Sequence, residues 1–186
     1  RPIGSLVKPA VYLTALEDPT QFNLATPLED KPITLESKNG KPWSPKNYDK
    51  EFRGQVPLSQ GLTESLNIPT VNLGMQVGLN TLADTIERLG VSTPLEKVPS
   101  MTLGAFELTP FATNQMYQTL SNDGRYIPLH TVNSVVTSEN ALLWKKAEFY
   151  SQRVDEAATY LLNYALYKVT TEGTAKRVGA TFGSVN

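Results

Sequence analysis

Apolar residues recur at spacings of three and four in six segments of this 186-residue chain, and that period predicts a helix in each of them. Gly, Pro and Asn interrupt the pattern and separate the helical segments from one another. The predicted helices cover residues 4–16, 57–66, 69–78, 79–89, 108–120 and 154–169.

Two stretches carry strand signals instead. Residues 33–36 and 41–43 flank an Asn-Gly pair, which tolerates the positive φ of a tight turn, and they predict a hairpin. Residues 131–136 and 141–144 alternate with a period of two and predict a second hairpin. The rest of residues 20–56 reads as irregular. No internal repeat or linker is evident, so we expect one domain at most.

The composition excludes several classes of function. Lys and Arg number 17 against 18 Asp and Glu, which removes the attraction that drives binding to nucleic acids. The chain has no Cys and a single His, so a thiolate nucleophile, a disulfide and a multi-histidine zinc shell are excluded. No run approaches the roughly 18 apolar residues of a membrane span. A catalytic base is therefore expected to be Lys, Glu or Asp.

Ser5 and Lys8 form a Ser-x-x-Lys motif at the start of the first predicted helix. One turn separates them, so the hydroxyl and the amine can share a face and hydrogen-bond. A serine at a helix N-terminus also offers its own backbone N–H to an oxyanion. Pro9 would leave the Ser5 carbonyl without its usual helical partner. Lys8 could accept the hydroxyl proton only if burial lowered its pKa.

A helix cap beside an ordinary surface lysine is the competing interpretation of this motif. A chain of this length contains Ser-x-x-Lys about once by chance. From the residue types alone, both interpretations of Ser5 and Lys8 stay open.

Ser-x-Asn occurs four times. In serine acyl-enzymes with a lysine base, this pattern supplies a hydroxyl for proton transfer and an amide that holds the substrate. Turn chemistry or the chain terminus explains three copies, at 37–39, 138–140 and 184–186. The fourth, Ser65-Leu66-Asn67, lies at a helix-to-helix junction. There both polar side chains can face a cleft while Leu66 faces the core.

Other catalytic arrangements have weaker support. A relay through His130 would be expected with a Gly-x-Ser-x-Gly elbow, which is absent from the sequence. No pair of acids stands out as a glycosidase-like couple. A Lys-Thr-Gly motif is also absent, since Gly173-Thr174 is preceded by Glu172.

With Ser5, Lys8, Ser65 and Asn67 identified, the chain closely resembles the transpeptidase domain of class A penicillin-binding proteins, especially the 1b subtype. The resemblance is continuous over nearly the whole chain. It includes segments 3–9, 43–47, 65–74, 103–105, 108–110 and 173–175. It implies an α+β fold of the penicillin-binding protein and serine β-lactamase kind, here mainly its helical part with most of the central sheet missing.

The resemblance implies a peptidoglycan D,D-transpeptidase that cross-links stem peptides through a serine acyl-enzyme and is a target of β-lactam antibiotics. Ser5 matches the acylated nucleophile and Lys8 the general base. Ser65 matches the proton shuttle towards the leaving amine, and Asn67 the amide that holds the acyl side of the substrate. No cofactor and no metal are implied.

The same resemblance implies where the protein works and with what. Its partners would be stem peptides ending in D-Ala-D-Ala, β-lactams, and the rest of a class A parent protein with a glycosyltransferase module and a membrane anchor. Its location would be the bacterial periplasm, tethered to the inner membrane. Residues 1–186 would be a partial transpeptidase domain, from the Ser-x-x-Lys helix to just before the expected Lys-Thr-Gly strand. A penicillin-sensing module, a serine β-lactamase and a non-catalytic scaffold are the alternatives.

Overall fold

A computed structural model describes residues 1–37 and 39–182. Seven α-helices occur in these ranges: α1 Lys8–Leu16, α2 Leu58–Thr63, α3 Asn67–Val77, α4 Leu79–Arg88, α5 Pro110–Ser121, α6 Glu156–Thr171 and α7 Lys176–Phe182. Two 3₁₀ turns, Gly4–Val7 and Pro99–Leu103, precede α1 and α5.

The strands of the described residues form antiparallel pairs. The strands are β1 Pro27–Asp30, β2 Leu35–Glu36, β3 Pro42–Trp43, β4 Gly54–Pro57, β5 Arg125–Tyr126, β6 Ser134–Val136, β7 Leu142–Lys145 and β8 Ser151–Gln152. β1 pairs with β4, β2 with β3, β5 with β8, and β6 with β7. The class is therefore α+β, with only two-stranded sheets in the part of the chain that the structure describes.

Helix α1 is the centre of the molecule. All nine of its residues are buried, and it packs against α3, α4 and α6. It can be enclosed in this way because apolar residues occupy nearly every side of it and both of its hydroxyl groups are hydrogen-bonded. Thr14 Oγ1 donates to the Ala10 carbonyl at 2.7 Å, and the Tyr12 hydroxyl lies 3.2 Å from Thr70 Oγ1. The turn that carries Ser5 leads directly into this enclosed helix.

The six predicted helices and the two predicted hairpins are confirmed, with shifted bounds. Helix α3 begins at Asn67 rather than at Pro69, because a proline in the first turn lacks only an N–H that has no intrahelical partner. Helix α5 begins after Thr109, whose Oγ1 accepts the Ala112 N–H at 3.1 Å and caps the helix.

The prediction that residues 20–56 are irregular outside the hairpin is wrong in part, because β1 and β4 form an antiparallel ladder there. Leu28 pairs with Val56, and both side chains are buried in the core. The residues directly before and after each of them are exposed. Helix α7 was also not predicted. None of the described helices is both long and apolar enough to cross a membrane.

Candidate active site

The backbone around Ser5 is a 3₁₀ turn rather than the first turn of an α-helix. Pro9 has no N–H to give to the Ser5 carbonyl, and the N–H of Lys8 donates to it instead. The usual partner four residues on is therefore absent, as predicted, and a 3₁₀ hydrogen bond from Lys8 replaces it. With three residues per turn, the side chains of Ser5 and Lys8 project from the same side. Ser5 itself is exposed.

Segment 104–106 holds the residues that precede Ser5. Gly4 N–H donates to the Gly104 carbonyl at 3.2 Å, and Ile3 N–H donates to the Phe106 carbonyl at 3.1 Å. Gly104 has a φ of 73°, and a Cβ at this position would lie 2.2 Å from the Gly4 oxygen. The close approach therefore requires glycine, which explains the resemblance at 103–105 in structural terms.

The amine of Lys8 connects α1 to the junction between α2 and α3. Its Nζ donates to the Ser65 carbonyl at 2.6 Å, to Ser65 Oγ at 3.0 Å and to Asn67 Oδ1 at 2.8 Å. The Ser5 hydroxyl makes no hydrogen bond within 1–37 and 39–182, so the possible Ser5–Lys8 bond is not formed there. The structure thus brings Lys8, Ser65 and Asn67 into direct contact.

Burial changes the acidity of this amine. The Lys8 residue is 2% exposed, and desolvation lowers its pKa to about 8. A substantial fraction of the side chain is therefore neutral at mildly alkaline pH. The condition that the sequence placed on Lys8 as a base, partial desolvation, is met.

The junction itself has an unusual backbone. Ser65 has a φ of 54°, in the left-handed region that few residues other than glycine adopt. Leu66 follows in an extended conformation and is buried in the core, so the side chains on either side of it face away from the core. This confirms the predicted arrangement in which Leu66 packs inward while Ser65 and Asn67 line a cleft.

Ser5, Ser65 and Asn67 line one cleft of about 380 Å³. Thr174, from the 173–175 segment, also lines it, as do Tyr48, Asp49, Arg53, Glu64 and Leu66. Gly173 lets this segment approach, because a Cβ there would lie 2.1 Å from the Thr63 oxygen. A larger cavity of about 560 Å³ contains Leu6 and Tyr117 but none of Lys8, Ser65 and Asn67.

The alternative candidates lie elsewhere. Ser37 belongs to the turn between β2 and β3, and Ser138–Asn140 belongs to the turn between β6 and β7. The copy at 184–186 lies outside the described residues. His130 bonds the Pro128 carbonyl and Asn133 and lines a different cavity, so it forms no relay with Ser5.

The cleft-lining residues 48, 49 and 53 were not singled out from the sequence. They follow the 43–47 segment and lie in the stretch that the sequence predicts to be irregular. The adjoining Asn-Tyr-Asp run carries no periodic signal, so only the folded chain shows that it reaches the cleft. No cluster of three or more potential metal-binding side chains of the His, Cys, Asp or Glu type occurs among residues 1–37 and 39–182.

Residues 1–183 match the family model described as the penicillin binding protein transpeptidase domain. The chain belongs to this family. It is 50% identical to penicillin-binding protein 1B of Vibrio cholerae over 185 residues, which cover 99% of this chain and 24% of that protein. It is 40% identical to penicillin-binding protein 1B of Escherichia coli over 189 residues, which cover 100% of this chain and 22% of that protein.

Solved structures confirm the fold. Penicillin-binding protein 1A of Haemophilus influenzae superimposes with a TM-score of 0.85 at 20% identity, over 95% of this chain and 32% of that one. The imipenem acyl-enzyme of penicillin-binding protein A from Mycobacterium tuberculosis gives 0.79 at 20% identity, over 95% and 45%. The predicted family and the α+β transpeptidase fold are thus confirmed. The chain spans about a quarter of the length of the curated relatives it matches.

Proposed function

We propose that this chain is the nucleophile-bearing part of a peptidoglycan D,D-transpeptidase that cross-links stem peptides and is acylated by β-lactams. One observation carries the proposal. The buried amine of Lys8 bonds Ser65 Oγ and Asn67 Oδ1, and these two residues line the same cleft as Ser5. A nucleophile, a base of lowered pKa, a second hydroxyl and an amide are what acyl transfer through a serine ester requires.

Acylation begins with attack of Ser5 Oγ on the carbonyl of the D-Ala-D-Ala amide. Neutral Lys8 takes the hydroxyl proton, and the Ser5 backbone N–H stabilises the oxyanion. The C–N bond then breaks, and the proton passes from Lys8 through Ser65 Oγ, 3.0 Å away, to the leaving amine of D-Ala. An ester on Ser5, a free D-Ala and a neutral lysine result.

Transfer reverses this order. An amine of a neighbouring stem peptide attacks the ester carbonyl and gives up its proton through Ser65 to Lys8. The bond between the carbonyl carbon and Ser5 Oγ then breaks, and Lys8 returns the proton to Ser5 Oγ, which leaves an amide cross-link and a free serine. Asn67 holds the acyl side of the substrate throughout. Its Nδ2 uses one N–H on the Lys46 carbonyl at 2.8 Å, and its second N–H is available to a substrate carbonyl.

We place residues 1–186 as a partial transpeptidase domain that extends from the Ser-x-x-Lys helix to just before a Lys-Thr-Gly strand. The parent would be a class A protein with a glycosyltransferase module and a membrane anchor, working in the periplasm at the inner membrane. The 1B relatives support this placement through their names and identity, and the imipenem acyl-enzyme of the Mycobacterium tuberculosis protein supports β-lactams as ligands.

The test is intact mass after exposure of the full-length protein to a penicillin. We expect one covalent adduct, lost in Ser5→Ala and retained in Ser37→Ala, which alters a Ser-x-Asn serine in a turn. No adduct on the folded, unmutated protein would overturn the proposal. An adduct that is rapidly released as hydrolysed penicillin would indicate a β-lactamase, and a stable adduct without cross-linking of stem peptides would indicate a penicillin sensor.

A further inference from the structure

The side chain of Asn47 is buried and has hydrogen bonds on both ends of its amide. Its Oδ1 accepts the backbone N–H of Asn67 at 2.9 Å and of Ile68 at 3.1 Å. Its Nδ2 donates to Asp30 Oδ1 at 2.7 Å and to the Glu51 carbonyl at 2.8 Å. The residue is 2% exposed, so these four contacts account for its full hydrogen-bonding capacity without water.

Asp30 and the Glu51 carbonyl orient the Nδ2 end of this amide. The Asp30 carboxylate is fully buried at the end of β1, and Oδ2 accepts the Arg53 backbone N–H at 3.1 Å. The Arg53 guanidinium lies 3.7 Å from the same oxygen. Both Asp30 oxygens accept N–H groups, and Nδ2 is the end of the Asn47 amide that can donate to one of them. The Oδ1 of Asn47 must then face the start of α3.

The start of α3 needs such an acceptor. The N–H groups of Asn67 and Ile68 are the first two of the helix and have no intrahelical partner. A polar residue at the N-cap usually accepts one of them, but the N-cap here is Leu66, whose side chain is buried in the core. Asn47, from 20 residues upstream, supplies the acceptor in its place.

We propose that Asn47, oriented by Asp30, is a positioning residue that holds the Ser65–Asn67 segment against Lys8. The backbone of Asn67 is bound by Asn47 while its side chain bonds Lys8 and the Lys46 carbonyl. A shift of this helix start would move Ser65 Oγ and Asn67 Oδ1 away from the amine together. This inference rests on the proposed function, because it assigns Asn47 to the same acyl-transfer site.

The test removes the acceptor from the start of α3 in the full-length protein. Asn47→Ala leaves the N–H groups of Asn67 and Ile68 without Oδ1 and should lower the second-order rate constant of acylation by a fluorescent penicillin about tenfold or more. The double variant Asp30→Asn with Asn47→Asp keeps an acceptor for both N–H groups and a donor facing an acceptor across the buried pair, although the Glu51 carbonyl loses its donor. We expect its rate constant to exceed that of Asn47→Ala by about threefold or more.

A matched control removes a comparable bond from the same helix. Asn72 Nδ2 donates to the Glu29 carbonyl of β1 at 2.9 Å, away from the start of α3. Asn72→Ala should leave the acylation rate unchanged. Hydrogen exchange should accelerate at residues 67 and 68 in Asn47→Ala and not in Asn72→Ala, since only the former removes the acceptor of those amides.

The end point of acylation separates positioning from a general loss of structure. A positioning role predicts slow but complete formation of the adduct in Asn47→Ala, whereas partial unfolding lowers the final adduct fraction. Positioning is overturned by an unchanged rate in Asn47→Ala, by an incomplete end point, or by a folded double variant that is no faster than Asn47→Ala. If Asn47→Ala does not fold, the double variant decides alone: it should acylate to completion with slow hydrogen exchange at residues 67 and 68, and fast exchange there without a loss of rate overturns positioning. Failure of the unmutated protein to acylate would instead overturn the proposed function itself, and this inference with it.

Discussion

Lys8 Nζ lies 3.0 Å from Ser65 Oγ, although 57 positions of the chain separate the two residues. The contact joins the central helix α1 to the junction between α2 and α3, and it is supported by two further acceptors, the Ser65 carbonyl and Asn67 Oδ1. Since α1 is buried along its whole length, the amine cannot swing into solvent without disturbing the core. The chemistry of the proposed site therefore depends on how these helices pack.

The first prediction concerns pH. Burial lowers the pKa of Lys8 to about 8, so the neutral, basic form grows as the pH rises through that value. The acylation rate constant should rise over the same range and level off above it. Stopped-flow measurements with a chromogenic β-lactam will show this. Lys8→Arg, which stays protonated, should be slow at every pH, and a flat profile for the unmutated protein would contradict the assignment of Lys8 as base.

The second prediction changes the charge beside Lys8. Asn67→Asp would place a carboxylate where Asn67 Oδ1 now lies, 2.8 Å from the amine, and an anion at that distance favours the ammonium form. The Lys8 pKa should rise, and the pH dependence of acylation should move to higher pH by about one unit or more. Asn67→Ala serves as the control, because it removes the acceptor without adding charge. An equal shift in both variants would show that charge is not the cause.

The third prediction separates the hydroxyl of Ser65 from its backbone. Ser65→Ala removes the shuttle and should slow acylation by about 10²-fold to 10⁴-fold. Ser65→Gly also lacks the hydroxyl but suits the positive φ of 54° better. Equal loss in both variants, measured as rate constants on folded protein, assigns the effect to the hydroxyl. Recovery in the glycine variant would assign it to backbone strain.

The fourth prediction concerns the contact that holds Ser5. Gly104→Ala would drive a methyl group to within 2.2 Å of the Gly4 oxygen and displace the turn that carries the nucleophile. Acylation should fall by about 10²-fold, the order of loss that a misplaced nucleophile causes. Gly40→Ala is the matched control, since Gly40 also has a positive φ but its nearest contact is a side-chain atom at 3.6 Å.

Both glycine variants should lose stability on the order of 1 kcal/mol from the strained φ. Gly104→Ala should lose more, because its methyl group also meets the Gly4 backbone, and only this variant should acylate more slowly. Thermal midpoints and acylation rates measured on the same samples will distinguish the two effects. Equal acylation rates in the two variants would mean that the Gly4 contact does not position Ser5.

The helices and hairpins could be predicted because their signals are local. Apolar spacing marks α4 and α6, and an Asn-Gly pair marks the turn between β2 and β3. The ladder of β1 and β4 could not be predicted in the same way. Each strand has four residues, and each is stabilised by a partner distant in sequence, so neither carries a periodic pattern long enough to read.

The role of Asn47 could also not be predicted from the residues around it in the sequence. The segment that contains it, 43–47, is part of the resemblance to the family, but the sequence analysis assigns no role to Asn47. Its four hydrogen bonds reach β1, the 51 carbonyl and the start of α3, and all become visible only when these elements meet. A polar residue in a loop has many possible partners, and tertiary packing selects among them.

The residue types available for chemistry, the helical periods and the family could be read from the amino-acid sequence, because motif order and apolar spacing are properties of the chain. The same order favoured the Ser65–Asn67 copy of the Ser-x-Asn motif. Only tertiary packing brings that copy into contact with the Lys8 amine, buries Lys8 enough for its pKa to fall, and lets Asn47 replace the missing cap of α3. These depend on distance and on the exclusion of water. Both arise only when segments remote in sequence pack together.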